Sequence, residues 1–554
     1  MGVALMACGA VLAGCTAKEA ARETIAASPR LEAPTDPATV LAPTAPVPLA
    51  VAASAALYTG APVVVLAADG DAGGQAGAAS AAVALGAPML LTPAASADPA
   101  DATAVTDEVA RLAPQAVLAV GQGAQDWAAQ KAGGTRVVPA APESLAGLVK
   151  VDERDARVVD PTTLTDAVAG LDRGSPALLT VAAPAPAAAG TAAPPVGPIA
   201  EDVPDLPVTG PPTALTGLTV LARSGNDQVA AVATARAAGV PVHVLRTPDP
   251  RGSGELVTAL SSAPQEKVLA LGGAFGSVDQ LQQRLAVVRT GVQLPGGGQL
   301  AFPGRRMVAL YGTPGTAALG SLGEQDLDAS IARVKDLVGQ YQPHSDLPVV
   351  PAFEIITTVA AGQAGADGDY SNEVEIAKIR PYVDAAKAAG VYVMLDLQPG
   401  RSDFLTQAKR YEELLAEPHV GLALDPEWRL QPGQVHRVQI GSVNVDEINQ
   451  VGDWLAGVVR ERNLPQKVLM VHQFRTSMIV GRERLNTAHD ELATLIHADG
   501  FGTQDMKRGT WDAMRQNSPN VYWGWKNFID EDRPMLDPAQ TMQMSPDIVF
   551  VSYQ

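Results

Sequence analysis

The chain has 554 residues, with 40 basic against 59 acidic side chains and a formal net charge of −19. At about 150 residues per domain that length holds three to four domains, and so acidic a chain is repelled by phosphate backbones, which argues against a nucleic-acid partner. Both cysteines, Cys8 and Cys15, fall at the extreme N-terminus, so the body carries neither a disulfide framework nor a thiolate zinc site.

Residues 1–15 form an apolar run that closes on Leu12-Ala13-Gly14-Cys15. These residues resemble a bacterial lipobox. The resemblance implies that Cys15 becomes the diacylated first residue of an exported lipoprotein, held in the cell envelope by its lipid chains. No Lys or Arg precedes the run, so the positive n-region of such a signal is expected upstream. Past it no stretch of about 20 apolar residues occurs, so the body does not span a membrane. Residues 16–50 are rich in Ala, Pro and Thr, which predicts an extended tether.

From Leu57 short β-rich runs alternate with Ala-rich helical stretches. Val63–Leu66, Pro88–Thr92 and Ala116–Gly121 read as strands, with helices over Gly73–Leu85 and Thr103–Leu112 between them. The rhythm returns with strands Leu218–Leu221, Val242–Leu245 and Val268–Gly273 around a helix at Asp227–Ala238. Strands alternating with helices predict parallel sheets covered on both faces. Residues 51–150 and 216–300 are therefore read as two βα repeats, and 151–215 as a degenerate repeat and linker. LGAPMLLTPA (Leu85 to Ala94), APQAVLAVGQGA (Ala113 to Ala124) and KVLALGGAFGSVDQL (Lys267 to Leu281) resemble the cell-wall-binding repeat 2 family. That resemblance implies cell-wall polysaccharide or peptidoglycan as partner. Gly121-Gln122-Gly123 is half of a dinucleotide fingerprint, but Asp126 occupies the third glycine position, so no cofactor is expected.

Near Gly304 the composition shifts: five of six tryptophans, eight of nine tyrosines and six of seven histidines lie beyond it. Eight strands are predicted, at Met307–Tyr311, Val349–Ile355, Val391–Leu397, Val420–Asp425, Lys467–His472, Thr494–His497, Asn520–Trp525 and Asp547–Tyr553. Eight strands with helices between them over 304–554 have the size and rhythm of a TIM (β/α)8 barrel. The fold class is thus α/β, with Rossmann-like βα repeats followed by a barrel.

Barrel active sites lie at the C-terminal strand ends. Those ends carry Glu354, Asp396, Asp425 with Glu427 and Trp428, His472, Asp499, Trp525 and Tyr553. Burial among like charges raises a carboxyl pKa, which makes a general acid, and aromatics beside acids suit a sugar. Asp425 and Glu427 are two apart on a strand end and should face the same side. Asp425-Pro426-Glu427 resembles the Asp-x-Glu of glycoside hydrolase families 18 and 25. The resemblance implies Glu427 as general acid and Asp425 as its support in a retaining-type hydrolase, with Glu354 or Asp396 as alternative partner. His472, Asp499, Trp525, Tyr553 and Trp428 are then candidate substrate contacts. Each has a plainer alternative: Asp425 as the cap of a turn, Glu354 paired with Arg401 or Arg429, and His472 as a satisfied strand-end histidine. His472, Asp499 and Asp396 lack the HxH spacing of a metal site, so no metal is expected. The rival to a hydrolase is a non-catalytic envelope-binding lipoprotein.

Overall fold

The computed structural model describes residues 27–149, 156–182, 206–545 and 548–554. Cys15 and its lipobox lie outside the described residues, as does most of the Ala182–Pro212 linker. No helix among the described residues is long and apolar enough to cross a membrane.

Eight strands of the N-terminal half build two four-stranded parallel sheets. They are β1 (Ala38–Leu41), β2 (Val63–Ala68), β3 (Met89–Thr92), β4 (Ala116–Val120), β5 (Arg136–Ala140), β6 (Leu218–Arg223), β7 (Val242–Leu245) and β8 (Lys267–Leu271). The sheet orders are β3-β2-β4-β5 and β7-β6-β8-β1. The expected tether is corrected here. Its residues supply β1, which adds to the edge of the second sheet with Ala38 beside Val268 and Leu41 beside Leu271. A helix follows over Pro46–Leu57. Pro46 sits at its first position, where the missing N–H is an orphan anyway and φ is already helical.

The Ala72–Leu85 helix is buried almost all round. Asp71 caps it by accepting from the Gly74 N–H at 2.9 Å. Small side chains are needed because the second unit's helix Val229–Ala237 packs closely on it. Thr234 of that helix bonds to both the N–H and the carbonyl of Met89 in the first unit. The two sheets therefore share one apolar core, and the repeats fold as a single body.

The C-terminal half is a closed barrel of eight parallel strands. These are β9 (Arg306–Gly312), β10 (Val349–Ala360), β11 (Tyr392–Leu397), β12 (Val420–Leu424), β13 (Lys467–His472), β14 (Leu492–Ala498), β15 (Tyr522–Asn527) and β16 (Ile548–Tyr553). Closure comes from β9, which pairs with both β10 and β16. Alternate residues fill the interior: Met307 and Ala309, Val350 and Ala352, Tyr392 and Met394, Val468 and Met470, Ala493 and Leu495. Leu294, Ala301 and Phe302 of the segment entering the barrel join that cluster and stopper its N-terminal end. The entry turns on Gly298 at φ +67°, where a Cβ would meet the Arg251 and Gly252 carbonyl oxygens at 3.2 and 3.3 Å; only glycine fits there. Asp490 pins the two halves together, accepting from Arg251 Nη2 at 2.9 Å and from Arg284 Nη2 at 2.7 Å.

Candidate active site

The same alternation that packs the barrel floor sends the next inward residues to its C-terminal mouth. Tyr311 follows Ala309, Glu354 follows Ala352, Asp396 follows Met394, His472 follows Met470 and His497 follows Leu495. The period of two along a strand dictates this. The mouth is therefore a polar layer lying directly on an apolar one.

His472 is its hub. Nδ1 lies 3.0 Å from Asp499 Oδ2, while Nε2 lies 2.8 Å from Glu354 Oε1 and 3.8 Å from Asp396 Oδ1. The Tyr311 hydroxyl donates to Asp396 Oδ2 at 3.1 Å and accepts from Gln398 Nε2 at 3.3 Å. Lys526 Nζ stands 3.4 Å from the centre of the Tyr311 ring, a cation–π contact. Burial opposes charge on His472, but Glu354, Asp499 and Asp396 around it hold its pKa well above the ordinary value. Burial likewise pushes Glu354 up, and the His472 charge outweighs it, holding Glu354 down at about 2. Asp396 is raised to about 6, by burial only partly offset by His472. His497 is pushed down to about 4 by burial.

Above this layer opens a cavity of about 1180 Å³. Its polar lining includes Tyr311, Gln398, Glu427, Asp499 and Lys526, and its aromatic lining Trp428, Phe474, Phe501 and Phe528. Glu427 sits on the turn Pro426–Trp428 that follows β12. Burial and the negative charge of Asp499 raise its carboxyl pKa to about 7. Asp425, beneath it, is pushed well above the carboxylate range by burial and by Glu427.

The structure brings Glu354, Asp396, Asp425, Glu427, His472, Asp499 and Trp428 to one end of the barrel. Only Glu427, Trp428 and Asp499 of these line the cavity; Glu354 and Asp396, both 0% exposed, lie below its floor. The plainer alternatives for the acids are not realised. Asp425 makes no capping hydrogen bond to its turn. Arg429 pairs with Glu447 and Arg401 donates to the Gln434 carbonyl, so neither meets Glu354.

Two expected contacts are corrected. Trp525 and Tyr553 belong to the outer core between strands and helices, where Trp525 packs on Trp511 and the Tyr553 and Tyr341 hydroxyls share a hydrogen bond. Each sits one residue out of phase with the interior, which takes Lys526 and Ser552 instead. Tyr311, His497 and Gln398 are site residues that the strand-end reading passed over, and Lys526, which ends the seventh strand beside Trp525, takes the inward place. Counting in twos from Ala309 and Leu495 would have found the first two.

The ligating atoms of Glu354, His472 and His497 lie within 4.8 Å of one another, so this trio has the spacing to hold a metal ion. No family model matches the chain, and no curated protein matches it. Among solved structures it is similar to Cwp6 from Clostridium difficile, at 12% identity and a TM-score of 0.32, covering 65% of this chain and 67% of that one. It is also similar to a mutant of the cellobiohydrolase Cel6A from Humicola insolens in complex with methyl-tetrathio-α-D-cellopentoside, at 11% identity and a TM-score of 0.20, covering 50% of this chain and 71% of that one.

Proposed function

We propose that the barrel is a glycoside hydrolase of the cell envelope, with Glu427 as general acid, carried on an N-terminal body that binds cell-wall polymer and is lipid-anchored through Cys15. The observation that carries the catalytic half is the convergence of Glu427 and Asp499 on one cavity, with no arginine among the described residues paired to either. A carboxyl that keeps its proton to about pH 7 can donate it to a leaving oxygen near neutrality. In that step the proton moves from Glu427 to the glycosidic oxygen, the anomeric C–O bond breaks, and water completes the product. Asp425, buried beneath Glu427, acts as the support of that acid. Trp428, Phe474 and Phe501 offer flat faces on which sugar rings stack.

A second reading, a non-catalytic glycan-binding barrel, draws on the burial of Glu354 and Asp396 beneath the cavity floor. One assay separates the two. The purified chain is incubated with envelope polysaccharide, and new reducing ends are counted alongside co-sedimentation. A hydrolase releases reducing ends, and Glu427→Gln lowers the rate by about 10²–10⁴-fold, the usual contribution of general acid–base catalysis. Binding without release by the wild type would leave the binder.

A further inference from the structure

The mouth of the barrel holds more unpaired buried polar atoms than the described side chains satisfy. Glu354 Oε1 and Oε2, Asp396 Oδ1, His472 Nε2 and His497 Nδ1 are all buried without a hydrogen-bond partner, and all four residues are 0% exposed. Each such atom costs about 1–3 kcal/mol when left unmatched, and a cluster of five marks the place of an occupant. A proton on His472 Nε2, facing Glu354 Oε1 at 2.8 Å, answers two of them and leaves Glu354 Oε2, Asp396 Oδ1 and His497 Nδ1.

The spacing chooses between water and a metal. Two groups bound to one water stand about 4.5 Å apart, given hydrogen bonds of about 2.8 Å at tetrahedral angles. Two ligands at about 2.1 Å from one ion stand about 3.0–3.4 Å apart. His472 Nε2 lies 2.8 Å from Glu354 Oε1, the distance of a direct ion pair when the imidazole carries a proton, and 3.8 Å from Asp396 Oδ1, closer than a shared water would hold it. Each side chain is also held by its other atom. His472 Nδ1 is tied to Asp499 Oδ2 at 3.0 Å, Asp396 Oδ2 accepts from Tyr311, and His497 Nε2 lies 3.4 Å from Ser552 Oγ. Partners that fix ring and carboxylate orientation in this way are what metal ligands require. Lys526 forms no ion pair with the four and lies instead over the Tyr311 ring.

We propose that Glu354, His472 and His497 form a buried site for one divalent first-row metal ion, of the zinc class, through two imidazoles and one carboxylate, with Asp396 beside it. That donor set suits zinc, manganese or ferrous iron rather than calcium. In the loaded site the ion takes the place of a proton on His472 Nε2. The site stands apart from the hydrolase reading, since it lies below the cavity and Glu427 is not among its ligands.

The test uses the full chain, stripped with chelator, desalted and titrated separately with zinc, manganese and cobalt. About one equivalent of zinc or manganese should stay with the protein through desalting and raise its melting temperature. Cobalt should give the visible absorption of a low-symmetry nitrogen and oxygen site. Glu354→Gln and His472→Gln should weaken binding by at least about tenfold, whereas Asp369→Asn, in the separate acidic trio Asp367, Asp369 and Glu373, should leave it unchanged. Cobalt keeping its aqueous spectrum in the folded wild type would overturn the site, even if both ligand variants fail to fold. So would loss of binding in Asp369→Asn alone.

Discussion

The two ends of the barrel are made by the same eight strands and differ in nearly every physical respect. At the N-terminal end the interior residues are Met307, Val350, Tyr392 and Val468, sealed by Leu294, Ala301 and Phe302. At the C-terminal end, four residues further along the same faces, are Tyr311, Glu354, Asp396 and His472, where buried oxygens and nitrogens stand unmatched. The difference teaches that stability and chemistry can be assigned to opposite layers of one interior. The packed layer supplies the rigidity that holds the unsatisfied one in place.

Several changes would break or sharpen that contrast. Phe302→Ala opens a void in the sealed end, and removing a buried phenylalanine of this kind costs about 3–5 kcal/mol. Urea unfolding should register the loss while activity per folded molecule stays at the wild-type level. A matching fall in specific activity would mean that the two ends are not separable. Asp490→Asn removes the acceptor shared by Arg251 and Arg284 at the seam between body and barrel. Because Asp490 is 33% exposed, the loss should be about 1–2 kcal/mol, read as a lower denaturation midpoint. An unchanged midpoint would show that the sealed end alone holds the halves together.

A further effect is a pH slope. An unfolded glutamate loses its proton near 4.5, whereas folded Glu427 keeps it to about 7. Between those values the folded state binds the extra proton, so its stability falls as pH rises. Melting temperatures from pH 4.5 to 7 should decline less steeply in Glu427→Gln than in the wild type. Equal slopes would remove Glu427 from the titrating layer.

Much of the mouth could be read from the chain because each ionisable residue interrupts or ends an apolar run. Glu354, Asp396, Asp425 and His472 all follow from that rule. Which neighbour points inward could not be read so easily. Parallel barrel strands are apolar on both faces, so hydrophobicity does not mark the phase, and Trp525 was taken where Lys526 belongs. At the other terminus β1 was hidden by composition. Ala38–Leu41 is short and set among prolines and threonines, and it becomes a strand only because β8 offers it an edge. The sharing of one core by both repeats depends on tertiary contacts that no local pattern carries.

The central claim, that Glu427 gives a proton to a departing sugar oxygen, is tested most directly by leaving-group dependence. Rates of the wild type and Glu427→Gln are compared on two glycosides of the same sugar, one with an alkyl and one with an activated aryl leaving group. The activated group departs with little protonation, so the variant should lose about 10²–10⁴-fold on the alkyl glycoside and far less on the aryl one. Equal losses on both, or none on either, would contradict the assignment of Glu427 as the acid.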